Sequence, residues 1–264
     1  MNLSIDSPAN PRIKELVKLR DSPRRRKERG VFFVEGAEDL LALVGAGRKV
    51  EEIYYCPSSS NEAVTLEYLK EFAKDGVPIV NTSLKAQEKA SYRSAGHDLI
   101  GVVKSWSLEL HPNMIQGKGP LMVLDEIEKP GNLGAILRSV EAFGGAGVIL
   151  SDPAVDFFNP NVVRSSRGLM GRVPVAIGSK DEVLAWLEKS HHEIWATSSR
   201  AKHELGIGRL PDSVAFVFGS EKIGLGEFWQ NSVKKWIKIP MCGTASSLNL
   251  SVSVGCLLYE CTRS

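Results

Sequence analysis

The amino-acid sequence predicts an α/β protein made of two successive α/β domains. Strand-like apolar runs alternate with helical patterns in each half of the chain, which indicates parallel or mixed sheets flanked by helices. Residues 108–119 have no clear period and contain proline and glycine, which is typical of a connection. We therefore predict a first domain over residues 1–107, a linker over residues 108–119 and a second domain over residues 120–264.

The first predicted domain opens with a helix whose start is marked in the sequence. Asn10 can cap it, Pro11 suits the first helical position, and Ile13, Leu16 and Leu19 recur at helical spacing. The remaining pattern predicts strands at VFFV, EIYY and residues 77–80 and 100–103, and helices over residues 38–44, 61–74 and 84–90.

The second predicted domain repeats the alternation with more apolar strands. Its strands are MVLDEI, GVILS, VPVAI, EIWATS, VAFVFG and KWIKIP, and its helices cover residues 133–143, 162–169, 181–189 and 248–260. Runs such as VAFVFG are typical of parallel strands buried on both faces. Open parallel sheets bind ligands at the carboxyl ends of their strands, so the loops after these strands are the candidate site.

Composition excludes several classes of protein. Of the 264 residues, 43% are hydrophobic and 24% charged, so an ordinary core can form without disulfides or metals. No apolar run approaches the roughly 20 residues of a membrane span, and the N-terminus lacks a secretory signal. The four cysteines and five histidines form no CxxC or HExxH pattern. We expect reduced thiols, no metal, no membrane and a cytoplasmic location.

Positive charge is concentrated at the N-terminus. Residues 1–30 contain nine Lys or Arg against four Asp or Glu, whereas the whole chain has a net charge of only +2. This basic arm favours a polyanionic partner, and a solvated amphipathic helix is the equally weighted alternative.

The first candidate loop follows the strand that ends near Asp125. A Pro-Gly turn comes next, and Asn132 can cap the following helix. Gly134 permits a close approach to the first turn of that helix, and Arg138 projects one turn further on. Taken alone, this pattern favours an ordinary strand–turn–helix with a surface arginine.

The second candidate loop lies within residues 217–229. Gly219, Gly224 and Gly226 surround a single acid, Glu221, and would leave backbone groups open to a ligand. The loop matches neither GxxxxGK[ST] nor GxGxxG, and a flexible connection is the alternative.

The third candidate loop lies within residues 238–260. A strand ends at Ile239-Pro240-Met241, and small residues then lead into a helix that Ser246 or Ser247 could cap. Small residues along this helix allow close packing or a close ligand.

Together the three segments resemble motifs 1, 2 and 3 of the SpoU/TrmH family in the SPOUT superfamily of RNA methyltransferases. The resemblance rests on NLGAILR with AFG beyond it, on GSEKIGL and on IPMCGTASSLNLSV, in this order. In addition, NPRIKELVKLRDSPRRRKERGVFFVEG resembles the opening of the RNA substrate-binding domain of rRNA-modifying members. One such motif would be weak, but three in order are specific.

The resemblance implies transfer of a methyl group from S-adenosyl-L-methionine to a ribose 2′-hydroxyl of RNA, with rRNA as the expected substrate. It implies a C-terminal domain threaded into a trefoil knot, which general topology rules would not predict. It also implies a homodimer with the active site at its interface. The cofactor would contact Gly219, Ile239, Leu248, Met241 and Gly243.

The resemblance further implies that Arg138 is catalytic and that Asn132, Glu221, Ser247 and Asn249 orient the reacting groups. Because arginine stays protonated in proteins, we expect Arg138 to stabilise the developing alkoxide and position the adjacent phosphate.

Several arginines and lysines are predicted RNA contacts. They are Arg24, Arg25, Arg26 and Lys27 of the basic arm, Arg167, and with it Arg164 and Arg172. Arg167 departs from the Ser-Ala-Gly element that the family has here. Lys129 stands where the family often has Asp or Asn, and Gly226 stands where it usually has Ser or Thr.

Three alternatives remain open. The acceptor could be tRNA, it could be a base atom, or the chain could be an inactive RNA-binding or ribosome-assembly protein of the same fold. The complete set of motif residues argues against inactivity, and the Asn–Arg pair of motif 1 favours the ribose.

Overall fold

The computed structural model describes residues 3–59, 62–92, 99–115, 119–208, 210–211 and 213–263. It divides the chain into two compact units. The first comprises Met1–Trp106 and Asp156–Gly171, and the second Ser107–Val155 and Arg172–Ser264. Residues 156–171, which the sequence analysis places in the second domain, therefore belong to the first unit.

The chain contains alternating strands and helices throughout. In chain order they are β1 Leu3–Ile5, α1 Pro11–Asp21, α2 Pro23–Arg29, β2 Val31–Glu35, α3 Ala37–Gly45, β3 Val50–Tyr55, α4 Glu62–Lys74, β4 Ile79–Thr82, α5 Leu84–Ala90, β5 Leu99–Lys104, β6 Leu121–Asp125, α6 Pro130–Ala142, β7 Gly147–Ser151, α7 Pro160–Ser166, β8 Val175–Gly178, α8 Lys180–Lys189, β9 Glu193–Thr197, β10 His203–Glu204, β11 Val214–Phe218, α9 Glu227–Ser232, β12 Lys235–Lys238 and α10 Leu250–Arg263.

The first unit is built on a mixed five-stranded sheet in the order β1-β4-β3-β5-β2. The strand pairs β1/β4 and β3/β4 are parallel, whereas β5 is antiparallel to β2 and β3. The predicted first helix is confirmed, because Asn10 Oδ1 accepts from the Arg12 N–H at 2.9 Å and the apolar face of α1 is buried. That face joins strand residues such as Phe33 and Ile100 in one core.

Residues 156–171 are packed tightly into the first unit. The Phe158 ring centroid lies 5.0 Å from that of Phe32 and 4.9 Å from that of Trp106. Gly168 has φ +71°, and a Cβ there would lie 2.4 Å from the Asp39 carbonyl oxygen. This backbone contact requires glycine at position 168.

The second unit contains a seven-stranded parallel sheet in the order β10-β12-β9-β11-β6-β7-β8. All six predicted strands are present. The two-residue strand β10 was not predicted, because two residues carry no periodic signal.

The predicted linker is packed against the second unit where it is described. The Leu108 carbonyl accepts from the Ile177 N–H at 2.7 Å, and the His111 carbonyl accepts from Trp186 Nε1 at 3.0 Å. Residues 116–118 of this prediction lie outside the described residues.

Two predicted helix caps are wrong. The helix α6 begins at Pro130, so Asn132 lies inside its first turn and is buried. The helix α10 begins at Leu250, and Asn249 rather than Ser246 or Ser247 bonds to its first turn. In both cases the asparagine amide meets residues far away in the sequence, which a local pattern does not reveal.

Strand order does not show how the chain is threaded, so the trefoil knot stays a prediction.

Within the described residues, we find no helix of the length and apolarity that a membrane crossing requires.

Candidate active site

The carboxyl edge of the second sheet brings the three motif loops to one place. Motif 1 follows β6, motif 2 follows β11 and motif 3 follows β12. Strands β6 and β11 are neighbours, and only β9 separates β11 from β12. Because all these strands are parallel, their following loops emerge on the same side.

One residue from each motif enters a chain of hydrogen bonds. Asn132 Nδ2 donates to Glu221 Oε1 at 2.7 Å, and Asn249 Nδ2 donates to Asn132 Oδ1 at 3.1 Å. The partners are 89 and 117 positions apart in the sequence. The structure therefore unites three of the five predicted catalytic residues.

The two terminal residues of this hydrogen-bonded series, Asn249 and Glu221, make different contacts. Asn249 Oδ1 accepts from the backbone N–H and the hydroxyl of Ser251, at 2.9 and 2.7 Å, which holds Asn249 at the start of α10. At the other end, Glu221 Oε2 is buried and has no hydrogen-bond partner among the described residues. Since an unpaired buried carboxylate oxygen is costly, this atom is suited to accept from a bound ligand.

The motif 2 turn that carries Glu221 is narrow. The Gly224 N–H donates to the Ser220 carbonyl at 3.0 Å. A Cβ on Gly219 would lie 2.0 Å from the Gly224 carbonyl carbon, and Gly224 itself has φ +72°. Both positions therefore require glycine, and the turn fixes where Glu221 points.

Arg138 and Ser247 are outside the hydrogen-bonded chain. Arg138 lies on α6 with its side chain exposed, and no hydrogen bond or ion pair involves its guanidinium within the described part of the chain. Ser247 is exposed in the loop before α10, and its hydroxyl is likewise unbonded among those residues.

The predicted cofactor residues lie on two neighbouring loops. Gly219 begins the loop after β11, and Ile239, Met241, Gly243 and Leu248 lie on the loop after β12. Within the described ranges, no backbone group of residues 239–248 makes a backbone hydrogen bond. Leu248 leaves 38% of its surface exposed. The loop thus presents free N–H and C=O groups beside an apolar side chain.

Sequence reasoning missed the loop after β9. Because β9 lies between β11 and β12, this loop lies between motifs 2 and 3. Thr197 Oγ1 donates to the Val217 carbonyl at 3.0 Å, and the Ser198 N–H donates to the Ile237 carbonyl at 3.1 Å. The polar residues directly after β9 are visible in the sequence. Only the strand order shows that they lie beside the motif loops.

Sequence reasoning also missed Asp125, at the end of β6. The carboxylate is buried, accepts from Ser151 Oγ at 2.9 Å and lies 3.8 Å from Lys180 Nζ. Burial raises the pKa of Asp125, and the groups of Trp229, Ser151 and Lys180 offset part of this rise. Asp125 thus links the start of the motif 1 loop to β7 and to the start of α8.

The predicted RNA contacts occupy very different environments. Arg26 is only 3% exposed, and its guanidinium bonds to Asp156 and to the Leu19 and Arg20 carbonyls. The structure thus places Arg26 inside the first unit, away from solvent. Arg24 and Arg25 pair with Glu28 and Glu15 near the surface.

The remaining predicted contacts lie at or near the surface. Lys27 and Arg172 are exposed, Arg167 is paired with Glu38, and Arg164 donates to Asn161 Oδ1 at 2.6 Å.

Across the described residues, His, Cys, Asp and Glu form no group of three or more suited to a metal ion.

An α/β fold that joins these three loops at one sheet edge is the architecture of a SpoU-type RNA methyltransferase. The SpoU rRNA Methylase family matches residues 120–259, and the MRM3-like substrate binding domain matches residues 10–101. The chain therefore belongs to the SpoU rRNA methylase family, which confirms the family that the motifs predict.

Relatives and solved structures agree with this family. The 23S rRNA (guanosine-2'-O-)-methyltransferase RlmB of Salmonella typhi is 32% identical, over 93% of each chain. The 23S rRNA (adenosine(1067)-2'-O)-methyltransferase of Streptomyces azureus is 26% identical, over 97% of this chain and 94% of its own length. A crystal structure of an RNA 2'-O ribose methyltransferase superposes with a TM-score of 0.85 at 31% identity, covering 99% of this chain and 98% of that one.

Proposed function

We propose that this protein transfers a methyl group from S-adenosyl-L-methionine to a ribose 2′-hydroxyl of rRNA, and that it acts in the cytoplasm. The hydrogen-bonded series Glu221–Asn132–Asn249 carries the proposal, because it assembles residues of all three motifs, up to 117 positions apart, at one sheet edge. Relatives named as 23S rRNA 2'-O-methyltransferases over nearly their whole length support the choice of rRNA.

The loop after β12 fits an adenosine-containing cofactor. Residues 239–248 offer backbone groups that nothing else in the described chain uses, so an adenine edge can bond to them. In this proposal Gly219, Ile239, Met241, Gly243 and Leu248 hold the cofactor. When bound, it supplies a sulfonium methyl group as the electrophile.

Arg138 is proposed to act on the acceptor. A ribose hydroxyl is a weak nucleophile at neutral pH, and its attack develops negative charge on oxygen. The unpartnered guanidinium of Arg138 can donate to that oxygen and to the adjacent phosphate. Because arginine keeps its proton, the hydroxyl proton leaves to phosphate or water.

A homodimer through α6 and α10 is part of the proposal. Val252 and Tyr259 are exposed on α10 one heptad apart, and Gly255 between them has open space around its Cα. Phe143, at the end of α6, lies 6.2 Å from the Tyr259 ring. This apolar stripe on two packed helices is suited to meet the same surface of a second copy.

Transfer of tritiated methyl groups from labelled S-adenosylmethionine tests the proposal. Total rRNA and tRNA lacking modification are compared, and nuclease digestion locates the label. We expect 2′-O-methyl nucleosides from rRNA, lost with Arg138→Ala and kept with Lys189→Ala, an exposed cation on α8.

Other results would redirect the proposal. Label in tRNA alone would change the substrate, and label in a base would change the acceptor atom. Cofactor binding without transfer to either RNA would contradict the proposed substrate, whereas no cofactor binding would favour an inactive RNA-binding protein.

A further inference from the structure

The tip of the motif 2 turn displays an isoleucine to solvent. Ile223 is 76% exposed, the largest exposed fraction among the large apolar side chains of the described residues. Single exposed apolar residues are common, so exposure alone carries no function. The position of Ile223 is what distinguishes it, since it lies two residues from Glu221.

Backbone hydrogen bonds of the turn set the position of Ile223. Its N–H donates to Ser220 Oγ at 3.4 Å, and the same turn is closed by the Gly224 bond to the Ser220 carbonyl. The two Cα atoms of Glu221 and Ile223 are separated by at most about 7.6 Å, twice the spacing of consecutive Cα atoms. A ribose at Glu221 therefore places its attached base within reach of Ile223.

The surroundings of Ile223 suit a nucleotide better than a protein surface. Lys222 Nζ lies 2.8 Å from Glu128 Oε2, so the motif 2 tip lies beside the start of motif 1. There Lys129 is exposed, and no ion pair engages it among the described residues. One apolar side chain flanked by lysines and glycines matches a base with its phosphates, whereas the apolar stripe on α10 matches a second copy.

We propose that Ile223 packs against the face of the base whose ribose is methylated, and so positions the acceptor nucleotide. The inference rests on the proposed rRNA methyl transfer and adds a residue to its specificity. An aliphatic side chain makes no hydrogen bonds to base edges. Contact with Ile223 would therefore depend on the area of the base face and not on which base is present.

Kinetics on a 23S rRNA transcript test the contact. Ile223→Ala is expected to raise the KM for RNA about tenfold, with kcat and cofactor affinity within about twofold of the parent. Ile223→Leu is expected to restore the KM. Ile207→Ala is the matched control, because Ile207 is 62% exposed at the same sheet edge, on the loop after β10.

A photocrosslink gives a second readout. With p-benzoylphenylalanine at position 223, we expect the crosslink on the methylated nucleotide or its immediate neighbour. A crosslink elsewhere in the RNA, or to a second protein chain, overturns the inference, as does an unchanged KM for Ile223→Ala. Absence of transfer by the parent protein overturns the proposed function itself, which separates the two failures.

Discussion

Arginines in two regions of the molecule have opposite environments. In the arm formed by α1 and α2, Arg26 is buried and bonds to Asp156 at 2.6 Å and to the Leu19 and Arg20 carbonyls. On α6, Arg138 is exposed and unbonded within the described residues. A guanidinium whose three nitrogens all bond within the protein stabilises the fold, whereas an unbonded guanidinium keeps its donors for a ligand.

In the basic arm, residues 1–30, the arginines and the lysines differ in the same way. All six arginines of residues 1–30 are ion-paired in the structure, and they are Arg12, Arg20, Arg24, Arg25, Arg26 and Arg29. The three lysines of this segment, Lys14, Lys18 and Lys27, are exposed and have no ion pair among the described residues. We therefore propose that these lysines, more than the arginines, attract the phosphates of RNA.

The largest expected effect is at the free arginine. Arg138→Ala should lower kcat about 100- to 1000-fold, because a donor to the developing oxyanion is lost. The melting temperature should stay near that of the parent, since the side chain is unbonded and exposed. Single-turnover methyl transfer and calorimetry measure the two quantities, and a large loss of stability would contradict the contrast with Arg26.

At the bonded arginine the effect should be on stability. Arg26→Ala should lower the free energy of unfolding by about 3 kcal/mol, because Asp156 and two carbonyls lose their partner. Arg24→Ala is the control, since the Arg24 side chain is 88% exposed and its pair with Glu28 is worth at most about 0.5 kcal/mol. If denaturant titrations showed the same loss of unfolding free energy for both variants, burial would not explain the difference between the two arginines.

The lysines test the RNA side of the comparison. Replacing Lys14, Lys18 and Lys27 together by Gln should reduce the slope of log affinity against log salt by about 3, one for each phosphate contact. Filter binding of a 23S rRNA transcript at several salt concentrations measures this slope. An unchanged slope, or a larger change for Arg24→Ala, would indicate that the arginines and not the lysines contact the RNA.

A smaller, pH-dependent effect is expected at Asp125. Burial raises its pKa in the folded chain, so its contribution to stability is largest at low pH and is lost as pH rises through that raised pKa. The stability of Asp125→Asn relative to the parent should therefore increase with pH, from about pH 4 upward. Urea titrations at several pH values measure the difference, and a relative stability that falls over this range would contradict the assigned burial effect.

Sequence reasoning was most successful where the signal is local. Periodicity predicted ten of the twelve strands, all except the short β1 and β10, and Asn10 with Pro11 predicted the start of α1. The motif loops could be found because each follows its strand directly. The cap assigned to Asn132 failed because α6 already begins at Pro130, and the Asn132 amide bonds to the other two motifs instead. The cap assigned to Ser246 or Ser247 failed because α10 begins at Leu250, and Asn249 bonds to its first turn.

By itself, the sequence determined the α/β class, the two alternating halves, the family and the three motif loops of the candidate site, because these depend on periodicity and on short motifs. Only the tertiary structure decided that residues 156–171 belong to the first unit, that β9 lies between motifs 2 and 3, and that Arg26 is bonded while Arg138 is free. These outcomes depend on strand order and on ion pairs between distant residues, such as Arg26 and Asp156, 130 positions apart. Arg138 is available to a ligand because folding leaves its guanidinium exposed and without a partner among the described residues.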